Sequence, residues 1–449
     1  MTPSSPDEPE ADVTHSQFGL LGSRRFLPFF ITQLLGAFND NVYKQALVLA
    51  ILYKLGTRGD PSLLINLSAL LFILPFFLFS ALGGQLGEKY PKHRLIRVIK
   101  VAEVSIMLVG AAALLLGSLP LMLLVLFCMG TQSALFGPVK YSILPQHLET
   151  RELLGGNALV ETGTFLAILG GTLFAGLLMT REAYASWVAL AVVSVAVAGL
   201  AASRFIPQAS PGYAALRLEW HLPANAWRIL RLGLRQQTPL VSRALIGNSW
   251  FWFLGAIYLT QIPLYSRDVL GGDETVVTLI LTIFSVGIAL GSLLCERLSG
   301  RRIEPGLVPL GLLGLTCFGL LLWWHSPVLV ATPDRDWLEL LAEPKAWWVL
   351  GDILGLGIFG GFYIVPLYAL IQSRTQDQER SRVIAAGNIL NAVFMVGSAV
   401  LAILCLTLLQ LGIPQFFLLV ALLNLAMGVY LCVAVPEFSL RFRSWLIGR

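Results

Sequence analysis

Apolar residues run along this chain in blocks of about twenty, separated by short polar or charged stretches. An α-helix rises about 1.5 Å per residue, so a block of that length covers the hydrocarbon layer of a membrane. Such blocks fall at 26–53, 62–86, 95–117, 119–137, 157–179 and 184–204. A second set follows at 244–266, 275–295, 306–330, 347–370, 383–409 and 413–435. The pattern predicts an all-α membrane protein with twelve transmembrane helices.

Composition agrees with the pattern. Of 449 residues, 56% are hydrophobic and 13% charged, whereas a soluble domain carries about 25% charged residues to face water. The net charge of +5 does not point to nucleic acid, because the basic residues sit in short clusters between apolar runs and not along one face of a domain. Cys128, Cys295, Cys317, Cys405 and Cys432 all fall in apolar segments without CxxC spacing, which predicts neither a disulfide framework nor a metal site. His15, His93, His147, His221 and His325 lie in loops or tails without ligand spacing, and no P-loop, dinucleotide fingerprint or Ser–His–acid grouping is present. No enzyme, no cofactor and no ATP-driven step is expected of this chain.

Loop charge fixes an orientation. With both termini on one side, 24 of the 31 Lys and Arg residues fall in loops and tails on that side, six fall on the other, and Lys44 lies within a span. Positive residues are retained in the cytosol, so both termini are expected there. The resulting plan has a disordered cytosolic tail at 1–25, a six-helix bundle at 26–204, a cytosolic linker at 205–243, a second six-helix bundle at 244–437 and a basic cytosolic tail at 438–449. Within the linker, Arg228, Arg231 and Arg235 share one helical face and Trp227, Leu230 and Leu234 another. That predicts an amphipathic helix resting on the inner leaflet.

The two bundles carry echoes of one another. Gly84-Gln-Leu-Gly-Glu88-Lys89 after the second span, with Lys92, His93 and Arg94, matches Gly291-Ser-Leu-Leu-Cys-Glu296-Arg297 after the eighth, with Arg301 and Arg302; Gly156-Asn157 matches Gly387-Asn388. Repeats of this kind build many transporters, with the cargo site where the repeats meet. In the loop, glycine lets two helices close and the acid can meet a helix N-terminus or a cation. Gly84, Glu88, Lys89, Arg94, Glu296 and Arg297 are therefore a candidate conformational latch.

Candidate cargo chemistry centres on the first span, at Gly36-Ala-Phe-Asn39-Asp40-Asn41 and Lys44. Asp40 lies about 21 Å along the helix from Phe26, near the bilayer centre. An acid there costs about 2.5–3.5 kcal/mol, so it is expected to face a wet cavity or to pair with Lys44, which shares its helical face. Lys140, Asn157, Glu161, Asn248, Asn388 and Asn391 complete the candidate substrate-binding set; Gln132 and Gln261 add hydrogen-bonding capacity, and Glu103 and Asp352 are further costly acids. Gly170, Gly171, Gly176, Gly287 and Gly291 are candidates for close packing or for gating.

Gly36-Ala-Phe-Asn-Asp40-Asn41 and Phe136-Gly-Pro-Val-Lys140-Tyr141-Ser-Ile-Leu144 resemble the bacterial lysophospholipid transporter family, LplT, of the major facilitator superfamily. The likeness extends through Gly156-Asn157-Ala-Leu-Val-Glu161 and Phe251-Trp-Phe-Leu-Gly255-Ala256. It implies the major facilitator fold, two six-helix bundles that alternate access around a central site. It also implies a location in the bacterial inner membrane, with lysophospholipids, chiefly lysophosphatidylethanolamine, moved from the outer to the inner leaflet for re-acylation. The family's membrane acid and lysine map onto Asp40 and Lys140. Some members carry an acyltransferase and an acyl-carrier synthetase fused behind the transporter; here these are expected to be separate partners. The superfamily usually has Asp and Gly where this chain has Glu88 and Pro91, which touches the latch geometry and not the fold.

Three readings of function remain open on the residues alone: a lysophospholipid flippase, a facilitator of an amphiphilic drug or metabolite with Asp40 binding a proton or cation, and a non-transporting scaffold for an acyltransferase. Coupling to Na⁺ or to a proton is undetermined, and a monomer is expected.

Overall fold

The computed structural model describes residues 16–55, 61–236, 238–300, 302–326 and 335–447. Among the described residues, twelve long helices cross the molecule: α1 Leu27–Tyr53, α2 Pro61–Lys89, α3 Lys92–Leu115, α4 Leu119–Ser142, α5 Leu153–Met179, α6 Tyr184–Ser203, α7 Pro239–Leu270, α8 Glu274–Leu298, α9 Leu307–His325, α10 Ala346–Arg374, α11 Arg380–Ala402 and α12 Ile413–Ala434. Eleven of them are long and apolar enough to span a membrane by composition. The remaining one is α1, whose hydropathy is broken by Asn39-Asp40-Asn41 and Lys44.

The halves repeat one packing scheme. Helix α1 packs on α5, α2 on α4 and α3 on α6; in the second half α7 packs on α11, α8 on α10 and α9 on α12. Between the halves, α2 meets α11 and α5 meets α8, again a symmetric pair. The sequence echoes therefore mark a real duplication. In hydrocarbon the helices gain little from apolar burial, so close van der Waals contact decides where they touch. Gly171 lies where an added Cβ would stand 2.5 Å from the Phe38 carbonyl oxygen of α1, and Gly287 where it would stand 2.7 Å from the Leu354 oxygen of α10. Gly291 likewise abuts Ile358 of α10. These glycines seat helices within their own half and are not between the halves, which removes them from the gating role. Gly84 differs: its neighbours are Ser381, Arg382 and Ala385 of α11.

Several expected boundaries move. Residues Gln17–Gly22 are not a loose tail but a 3₁₀ helix with Gln17 buried; its backbone N–H donates to Glu296 Oε2 at 3.1 Å and its side chain to the Leu293 oxygen at 2.9 Å. The linker holds a helix at Leu222–Leu234, and α7 starts at Pro239, five residues before 244. The basic tail is the helix Pro436–Leu446, anchored by buried Phe438 and by Trp445 donating to the Leu298 oxygen at 2.8 Å. Hydropathy reports only the hydrocarbon-length part of a helix, so α2 and α4 run on past their apolar blocks to Lys89 and Ser142, and α3 and α5 begin before theirs. Lys100 and Lys140, expected in cytosolic loops, are buried inside α3 and α4. Residues 1–15, Arg58, Arg301, the 327–330 end of the ninth block and Arg449 lie outside the described residues.

Overpacking a close helix contact costs about 1–3 kcal/mol. Gly171→Val is expected to lower the melting temperature of the purified protein in detergent. Gly176→Ala, whose added Cβ meets nothing within 4 Å, is expected not to lower it.

Candidate functional site

A cavity of about 540 Å³ lies between the halves, within the roughly 300–1,000 Å³ usual for small-molecule sites. Its walls come from α1, α2, α3, α4 and α5 on one side and from α7, α10 and α11 on the other.

The charged side chains all come from the first half. Asp40 and Lys44 of α1, Lys100 of α3 and Lys140 of α4 line the cavity, together with Gln132 and Ser133. The second half supplies Asn388 and Asn391 of α11 with Trp252, Leu259, Tyr368 and Met395. A charge in this setting needs a partner or a polar ligand, and each has an identifiable one. Asp40 accepts from Ser133 Oγ at 2.7 Å. Lys44 does not close an ion pair with Asp40; its Nζ stands 4.4 Å from the Phe72 ring centre, a cation–π contact, within the electrostatic reach of Asp40. Lys100 pairs with Glu103 at 2.6 Å, and Gln132 donates to the same carboxylate oxygen at 3.1 Å. Lys140 donates to Thr164 at 3.0 Å and feels the charge of Glu161. Three acids and three bases, all from one half, thus surround or back the cavity.

The arm beside this charged lobe is apolar. Ile65, Ala69, Phe72, Ile73 and Phe76 of α2 form one wall, continued by Leu126, Ile168 and Met395.

The cavity is sealed at the end that carries the basic clusters. Tyr141 and Tyr368 stack with ring centres 4.1 Å apart, and Tyr141 donates to Glu161 at 2.6 Å. Asn157 and Gln372 exchange two amide hydrogen bonds, at 2.7 and 2.9 Å. Thr162 donates to the Ala289 oxygen at 3.3 Å, and Ser381 Oγ to Ser142 Oγ at 2.9 Å. The Ser381 backbone N–H, in the first turn of α11, donates to Glu88 Oε1 at 2.7 Å. A carboxylate at a helix N-terminus satisfies free backbone donors and the helix dipole together. The echoed acid lies at the matching place on the other diagonal: Glu296 Oε1 is 3.1 Å from where a Cβ on Gly155 would stand, in the first turn of α5. From this seal the cavity extends past Lys44, Val48 and Ile65 toward the opposite end.

The sequence-derived set divides accordingly. Asp40, Asn41, Lys44, Lys140, Asn388 and Asn391 line the cavity. Asn41 spends a donor on the Ala37 oxygen of its own helix, Asn391 accepts from Ser249 at 2.7 Å, and Asn388 Nδ2 is without a hydrogen-bond partner. Asn39, Asn157, Glu161 and Asn248 are buried away from its lining; Asn157 and Glu161 belong to the seal, and Asn39 keeps both amide atoms unpartnered. Of the candidate latch, Gly84, Glu88 and Glu296 bridge the halves. Arg94 is exposed, and Lys89 faces the ring of its neighbour Tyr90; Arg297 makes no ion pair among the described residues. Buried Lys92, close to Glu88, takes the place expected of Lys89 and Arg94. Sequence reasoning missed Lys100, Gln372 and Ser381. Lys100 carried a signal, since it stands one helical turn before Glu103.

Two duplicated six-helix bundles around a central cavity, sealed at one end, are the architecture of a membrane transporter. The Major Facilitator Superfamily model matches residues 29–393, and the chain belongs to that superfamily and, within it, to the LplT family. Lysophospholipid transporter LplT of Photorhabdus laumondii subsp. laumondii is 30% identical over 76% of this chain and 78% of the relative. The proteins of the same name from Escherichia fergusonii and Cronobacter sakazakii are each 28% identical, over 82% and 89% of this chain and 84% and 91% of theirs. Among solved structures, the fold matches the human organic anion transporter MFSD10 (TETRAN) with a TM-score of 0.69 at 15% identity, covering 91% of this chain and 99% of that one. A bacterial homologue of the iron transporter ferroportin in its outward-facing state matches with a TM-score of 0.63 at 15% identity, over the same shares.

Loss of a helix N-cap costs about 1–2 kcal/mol, a factor of about 5–30 in an equilibrium. Glu88→Ala is expected to move the seal toward its open state by about that factor. The readout is the rate at which a membrane-impermeant maleimide, added from the side opposite the basic clusters, labels Cys placed at Ser133. An unchanged rate would mean that the Glu88–α11 contact does not set the equilibrium.

Proposed function

We propose that this chain moves lysophospholipids, chiefly lysophosphatidylethanolamine, from the outer to the inner leaflet of a bacterial inner membrane by alternating access. The basic end of the bundle is cytosolic on this reading, with both termini there, because 24 of 31 Lys and Arg residues fall on that side by loop assignment. The structure then corresponds to the outward-open state, ready to take cargo from the outer leaflet.

One observation carries the proposal: the cavity is itself amphiphilic. Lys140 and Lys44 offer cations to a phosphodiester, with Lys100 behind them paired to Glu103, and Asp40 offers a carboxylate to an ammonium. The aromatic and aliphatic wall of α2 runs on from these groups, as an acyl chain requires. The curated relatives' name supports the same cargo. The equal number of acids and bases suits a zwitterion, which adds no net charge to a low-dielectric site. Asp40 takes the cargo's ammonium or a coupling Na⁺ or proton, and the product is consumed by a separate acyltransferase with its acyl-carrier synthetase. The chain acts as a monomer.

Removing a charge-assisted hydrogen bond costs about 1.5–3 kcal/mol, at least about tenfold. In liposomes holding purified protein, fluorescent lysophosphatidylethanolamine in the outer leaflet is expected to become protected from dithionite. Asp40→Asn and Lys140→Gln are each expected to slow that protection at least about tenfold. Wild-type rates in both variants would remove these residues from the mechanism. No protection by the wild type would favour the scaffold, and transport of cationic dyes without lysolipid would favour the drug or metabolite facilitator.

A further inference from the structure

The linker helix Leu222–Leu234 is a strap across the sealed joint. Ala226 and Ile229 pack against Ala81 of α2 and against Ala385, Ala386 and Ile389 of α11. A Cβ on Gly233 would stand 2.5 Å from the Ala386 methyl, so the strap lies in direct backbone contact with α11. Gln85 of α2 donates to Asn225 Oδ1 at 2.7 Å and accepts from the Glu219 backbone N–H at 2.9 Å. One helix from each half is therefore held, and these are the two helices joined by Glu88 and Ser381.

Among the described residues, nothing covers the opposite face of the strap. Trp227 is 58% exposed and Leu234 37%, and they alternate with exposed Arg228, Arg231 and Arg235. The sequence pattern suggested one basic and one apolar face; the face that is buried is a third one, made of Asn225, Ala226, Ile229 and Gly233. Arg231 stacks on Trp227 at 5.1 Å and Arg228 pairs with Glu219. Among the described residues, Arg231 and Arg235 meet no carboxylate. Water disfavours the indole and hydrocarbon disfavours the guanidinium groups, whereas a headgroup layer accommodates both. Cations held there attract anionic lipid.

We propose that this face binds anionic phospholipid headgroups of the leaflet at the basic end, and that the bound lipid holds the strap on α2 and α11 and so favours the state with the cavity open to the opposite side. Opening the seal parts α2 from α11, and the strap must then leave one of them and carry its arginines out of the headgroup plane. A lipid shifts an equilibrium only through such a difference between states.

The test uses the full chain with its native cysteines replaced by alanine, in phosphatidylcholine vesicles with or without phosphatidylglycerol. Bimane on Leu234→Cys reports position: quenching by doxyl-labelled lipid is expected, and quenching by iodide alone overturns the proposal. Disulfide formation between Ser142→Cys and Ser381→Cys, whose hydroxyls are 2.9 Å apart, reports the sealed state. Phosphatidylglycerol is expected to speed it at least about fivefold, the lower end of ordinary coupling. Arg228→Gln/Arg231→Gln/Arg235→Gln is expected to abolish that response and the corresponding lysine variant to keep it. An equal response in the glutamine variant, or the same response to soluble glycerophosphate, overturns the proposal. Neither readout requires transport, so failure here is separate from failure of the cargo assignment.

Discussion

A carboxylate halfway through a bilayer cannot be left without partners, and the first half of this protein is arranged around that constraint. Asp40 and Lys44 interrupt α1 so strongly that α1 alone among the twelve helices lacks the hydropathy of a span. The cost is offset by Ser133, by the Phe72 ring and by two further charged pairs, Lys100 with Glu103 and Lys140 near Glu161. Each group is affordable only because the others are present. Removing one therefore leaves a buried charge without its counterpart, which is costlier than never having had the pair.

The duplicated architecture gives this charged half a partner of different chemistry. Both halves place an acid at the end of their second helix, and each acid reaches the N-terminal turn of a helix across the joint: Glu88 to α11 and Glu296 to α5. The two diagonals are not equivalent. Glu88 takes the Ser381 N–H directly, whereas Glu296 also holds the 3₁₀ segment that precedes α1 through Gln17. Symmetry sets where the joint closes, and the segments outside the repeat, the strap and the Gln17–Gly22 turn, differentiate its two sides.

The fold was legible in the sequence because its cause is local: twenty-residue apolar blocks and alternating loop charge leave little freedom in helix number or order. The site was legible where a residue violated the hydrocarbon pattern, as Asp40 and Lys44 do. It was not legible where the decisive fact is which neighbour a side chain meets. Asn157 and Asn388 occupy matching positions in the two repeats, yet Asn157 locks onto Gln372 while the Asn388 amide nitrogen is buried against Gly137 without a hydrogen-bond partner. Lys100 and Lys140 looked like loop charges because a helix can carry its polar end inside protein beyond the hydrocarbon edge. Lys92 displaced Lys89 and Arg94 for the same reason: spacing does not say which of several adjacent cations turns inward.

The one-sided placement of charge has a mechanical consequence. Every charged side chain lining the cavity belongs to a single six-helix body, and the facing body presents amides, aromatic rings and a thioether. A headgroup seated among Asp40, Lys44 and Lys140 would keep its strongest contacts while the other body swings across it. The contacts remade along the way would then be short-ranged and soft, so the path between the two end states need not cross a point at which an ion stands bare.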